Sequence, residues 1–75
     1  MNISSDEPSS PRQKVFDEAA MLVARAASNH KVVSAGREGE RLYRENPGCD
    51  MSESGIIEYI VRLAREKRLT IDTSR

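Results

Sequence analysis

Apolar residues recur every three or four positions in three blocks of the chain, and polar breakers separate the blocks. In the first block Phe16, Ala19, Ala20, Val23 and Ala27, flanked by Val15, Leu22 and Ala26, keep helical spacing with no glycine or internal proline among them. Ser10-Pro11-Arg12-Gln13 stands directly in front, offering an N-cap oxygen, a proline at N1 and a glutamine at N3, which is the capping-box pattern. A first helix is therefore predicted from Pro11 to residue 27 or 28.

The second block depends on where that helix stops. Ser28-Asn29-His30 is a soft breaker. At about 100° per residue, the stripe Val32, Ala35, Gly36, Gly39, Leu42 and Tyr43 falls on the side opposite the first stripe, so one straight helix would split its own apolar face. A break near Asn29, acting as a left-handed cap or as the next N-cap, removes the conflict and predicts a second helix over residues 31–45. A continuous helix through both blocks is the alternative. Gly36 and Gly39 each cost roughly 1 kcal/mol of helix propensity relative to alanine, which suggests close approach of another helix or of Phe16 or Tyr59; a hinge is the competing reading. Arg41 with Glu45 and Glu40 with Arg44 form i,i+4 pairs for the solvated side.

Between the second and third blocks lies a sharp corner, Asn46-Pro47-Gly48-Cys49-Asp50-Met51-Ser52. Proline drives Asn46 out of the helical region, and Pro47-Gly48 suits the centre of a type II turn. Ser52 is then an N-cap, with Met51 and Ile56 placed as a hydrophobic staple, and a third helix is predicted from Glu53 to about residue 67. Its apolar residues Ile56, Ile57, Ile60, Val61, Leu63 and Ala64 cover an arc wide enough for two neighbours. Leu69 and Ile71 alternate with polar residues in an extended tail that either folds back or adds a strand to a partner's edge.

These elements predict an all-α, three-helix domain over residues 10–71. Residues 1–9, rich in serine and acid, read as a disordered tail, and residues 72–75 as a flexible C-terminus. The expected core is Phe16, Ala20, Val23, Leu42, Ile56, Ile60, Leu63 and Ala64.

Composition narrows the function more than it defines it. At 75 residues the chain buries a thin core, and a single cysteine excludes an internal disulfide. One histidine and one cysteine are too few for a usual zinc site, so no metal or cofactor is expected. His30 sits where a protonated ring complements a helix end, and Cys49 reads as a small buried apolar residue. Twelve basic against twelve acidic residues leave no net charge to steer the chain to nucleic acid or to a membrane. No apolar run reaches membrane-spanning length and the first residues lack a signal-peptide pattern, which points to a cytoplasmic protein. Three short helices offer no concave site, so neither catalysis nor a small-molecule substrate is expected.

Two function classes remain. The first is a protein-protein interaction or self-association module, a homodimer or a binder of another protein, with Ile57, Val61, Leu69 and Ile71 as interaction candidates because one thin core cannot cover both apolar rows of the third helix. The alternative is a small nucleic-acid-binding regulator using Arg62, Arg65, Lys67 and Arg68, the arginines at three-residue spacing. Against it stand Glu58 and Glu66, each placed to pair with Arg62, the lack of interleaved aromatics, and a six-residue corner too long for a usual helix-turn-helix.

Overall fold

The structure, a computed structural model, describes residues 10–73. The predicted tail at residues 1–9 lies outside the described residues. Three helices dominate: α1 (Pro11–Asn29), α2 (Ala35–Glu45) and α3 (Glu53–Glu66). Two short strands, β1 (Val33–Ser34) and β2 (Ile71–Asp72), bracket the α2–α3 pair and run parallel, with Val33 opposite Ile71 and Ser34 opposite Asp72.

Local signals decide where each helix begins. The Ser10 hydroxyl accepts from the Gln13 amide at 3.1 Å, with Pro11 inside the first turn. The Gln13 side-chain amide donates to Asp17 at 2.9 Å, one turn further into the helix. At α3 the Ser52 hydroxyl accepts from the Gly55 amide at 2.9 Å, and Met51 packs half-buried against the core as the staple requires. Ser52→Ala should therefore destabilise the chain by about 1 kcal/mol and Ser54→Ala by almost nothing, measured by urea unfolding. Equal losses would place the start of α3 elsewhere.

Both long helices end in the same way. In α1 the His30 and Lys31 amides donate back to Ala27 and Ala26, with His30 at φ 54°. In α3 the Arg68 and Leu69 amides donate back to Arg65 and Ala64, with Arg68 at φ 58°. This is the Schellman arrangement, made without glycine. The left-handed residue after α1 is thus His30, not Asn29, which is the last helical residue.

The second helix starts four residues later than the periodicity predicts. Val32 and Val33 are β-branched, and the Val33 amide donates to the Thr70 carbonyl at 2.9 Å, which commits it to an extended backbone. The extended tail folds back onto its own bundle to make that bond, and the last residues of the pairing include Asp72. The corner forms as predicted: Cys49 N–H donates to Asn46 carbonyl at 3.1 Å and Gly48 has φ 85°, a type II turn around Pro47-Gly48. Asn46 is buried, and its side-chain amide donates to the Leu42 carbonyl at 2.9 Å.

The core is Val15, Ala19 and Val23 from α1, Val33, Ala35 and Leu42 from the β1–α2 segment, Cys49 from the corner, and Ile56, Ile60 and Ala64 from α3. Each long helix contributes residues at i, i+4 and i+8. Against the predicted core, α1 is rotated by one residue, so that Val15 and Ala19 point inward while Ala20 is exposed. Phe16 is half-buried at the rim, where its ring meets Tyr59 edge-on with centroids 4.8 Å apart. Leu63 is likewise half-buried. The glycine-marked approach is real at Gly39: a β-carbon there would collide with Ile57 Cγ1 and stand 3.3 Å from the Ile57 Cα and N.

Candidate functional site

The outer side of α3 follows from which of its residues the bundle uses. Ile56, Ile60 and Ala64 are fully buried, and the residues one step round the helix from them, Ile57 and Val61, are half-buried and packed on the core edge. Beyond these the face becomes charged. Glu58, Arg62, Arg65 and Glu66 are all exposed, and with Ile57, Val61 and Thr73 they line an open groove of about 670 Å³. The structure therefore brings the two α3 interaction candidates and half of the basic cluster into one place.

The other candidates sit apart. Leu69 and Ile71 are half-buried against the bundle's own core, Leu69 following the Schellman turn and Ile71 within β2. Lys67 and Arg68 are exposed, but α3 ends at Glu66 and the left-handed backbone of Arg68 turns it off the line of Arg62 and Arg65. The even three-residue row of arginines thus has two helical members, not three. Arg62 makes no ion pair with Glu58 or Glu66 among the described residues, so both signs of charge remain available on this face.

Charge pairing is concentrated on a different side. Arg41 donates to Glu38 from both Nε at 2.9 Å and Nη2 at 2.7 Å, and to Glu45 from Nη1 at 3.0 Å. Glu18 of α1 lies 3.7 Å from the same Nη1, which ties α1 to α2. The Glu38 hydrogen bond, and then the surrounding carboxylates, hold the Arg41 guanidinium proton more tightly than usual, although desolvation opposes this. Glu40 and Arg44 do not form the predicted pair among the described residues. Its side chain is 39% exposed and its hydrogen bonds go to Glu38 and Glu45 of its own helix, so Arg41 reaches α1 only through the longer ion pair to Glu18, which adds little to stability.

Chemistry-bearing side chains are sparse elsewhere. Cys49 is buried in the corner, with its thiol 3.7 Å from the Met51 carbonyl. His30 is exposed at the end of α1. Among the described residues no group of three or more His, Cys, Asp or Glu side chains could hold a metal ion, and no helix is long and apolar enough to cross a membrane.

Sequence reasoning singled out Ile57, Val61, Arg62 and Arg65, which line this groove, but treated the acids as neutralising partners. The signal for their place on the face was in the spacing: Glu58, Arg62 and Glu66 stand at i, i+4 and i+8, and Glu58 and Arg65 at i, i+7. Thr73 carried no such signal, because only the return of β2 brings it there. No protein-family model matches the chain, and comparison with curated proteins and with solved structures finds no match to it.

Proposed function

We propose that this chain is a small, non-catalytic protein-protein interaction module of the cytoplasm that self-associates through the outer face of α3. The observation that carries this reading is the mixed lining of the α3 groove: two half-buried aliphatic side chains beside two arginines and two glutamates. An apolar strip with balanced charge at its border is the make-up of a protein interface, with an apolar centre and a polar rim. A phosphate backbone running along Arg62 and Arg65 would meet Glu58 and Glu66 in the same groove, which disfavours the nucleic-acid alternative. The single free thiol fits a reducing compartment.

Val61 is the residue with which to test the face. Ile57 is less suitable, since it also rests on Gly39 and its loss would disturb α2–α3 packing. Sedimentation across a micromolar concentration series should show a dimer for the native chain, and Val61→Glu should give a monomer of unchanged helicity. A native chain that stays monomeric at its highest soluble concentration rejects self-association. Duplex binding at low salt, lost on reversing Arg62 and Arg65, would favour the regulator instead.

A further inference from the structure

Resting on the self-association proposed above, we infer that the two copies meet with their α3 helices antiparallel, across a two-fold axis level with the Val61–Arg62 step, so that Glu58 of each chain faces the partner's Arg65. The inference comes from where the charges stand on the helix. Glu58 and Arg65 are seven residues apart, so they project within about 20° of one direction, and both are exposed. Their midpoint falls between Val61 and Arg62. At about 1.5 Å of rise per residue, each lies roughly 5 Å along the axis from that midpoint. A two-fold axis across the helix at this level brings the acid of one chain to the height of the base of the other, and does so twice.

The alternative arrangement lacks this match. In a parallel pair about an axis along the helices, Glu58 would face the partner's Glu58 and Arg65 the partner's Arg65, and like charges set together select against that geometry. The antiparallel pair also sets the two helix dipoles in opposite directions, the positive end of each beside the negative end of the other. On the bundle side of the charged ridge Val61 meets the partner's Val61 next to the axis, which removes the half-exposed aliphatic strip from water. Arg62 falls on the solvent side, with Glu58 and Glu66 of its own chain one turn away on either side. The two copies of Arg62 near the axis are thereby flanked by carboxylates.

Charge reversal tests the register directly. Glu58→Arg alone sets base against base at both contacts, and Arg65→Glu alone sets acid against acid. Each single variant should weaken self-association by about tenfold or more while keeping its helical circular dichroism. Mixed in equal amounts, the two variants should form a heterodimer, because both contacts are then opposite in sign, and the chain carrying both reversals should recover the native homodimer. If the single variants dimerise like the native chain, or if the mixture stays monomeric, the antiparallel register is wrong. A native chain that never dimerises removes the underlying self-association as well. A native dimer that Val61→Glu dissociates but charge reversal does not follow overturns the register alone.

Discussion

Gly39→Leu should abolish the cooperative thermal transition of this chain, and Gly39→Ala should lower its midpoint, both followed by circular dichroism. Alanine normally stabilises a helix interior relative to glycine by roughly 1 kcal/mol. At Gly39 that gain is opposed by contact with α3. The added β-carbon would run into Ile57 Cγ1, which can rotate away, but it would also press on the Ile57 Cα and N at 3.3 Å, which cannot. The two helices must then separate along their closest line. Overpacking of this kind costs about 1–3 kcal/mol, so alanine should come out destabilising by about 1 kcal/mol net. Leucine adds three more carbons at the same point. Its cost should be comparable with the roughly 4–11 kcal/mol that stabilises a chain of this length. A raised midpoint for Gly39→Ala would mean that α2 and α3 do not approach this closely.

Ile60→Ala should reduce stability by about 3 kcal/mol in urea unfolding, with the dependence on denaturant unchanged. Ile60 is fully buried between the buried residues Ile56 and Ala64 of its own helix, and truncation leaves a cavity where three helices converge. Leu63→Ala provides the comparison. Leu63 is the same volume class but half-buried at the rim, so its loss should cost less than half as much. Equal effects would indicate that α3 is rotated about its axis relative to the present packing.

The parts of this fold that were legible in the sequence are those determined by neighbours within a few residues. Ser10, Ser52 and the Pro47-Gly48 turn are local chemistry, and each formed at the residue predicted, with Met51 packed on the core as a staple residue would be. The inward face of α1 was not legible. Its apolar arc includes four alanines that fit core or surface alike, and the bulk of Phe16 outweighed them in the periodicity although Phe16 belongs to a ring contact at the rim. The start of α2 was missed for a different reason. Val33 is extended because of Thr70 and Ile71, 38 residues further along the Val33–Ile71 pairing, and no local window contains both. At the candidate site the apolar pair and the two helical arginines were visible, whereas the groove itself depends on the returning tail that carries Thr73.

The parallel ribbon of β1 and β2 has a consequence for how the chain reaches this state. Pairing Val33 with Ile71 closes a long loop, and the entropy lost in closing it is recovered only if the intervening segment has already been shortened. The α2–α3 hairpin does this by folding the chain back at Pro47-Gly48, which carries the end of α3 toward the start of α2. By loop-closure entropy the ribbon is expected to form after the hairpin on the route to the native state. On unfolding it should open first, releasing residues 69–73 while the Gly39–Ile57 contact between the helices still holds, which hydrogen exchange would read as weaker protection of the Val33 amide than of the α3 core.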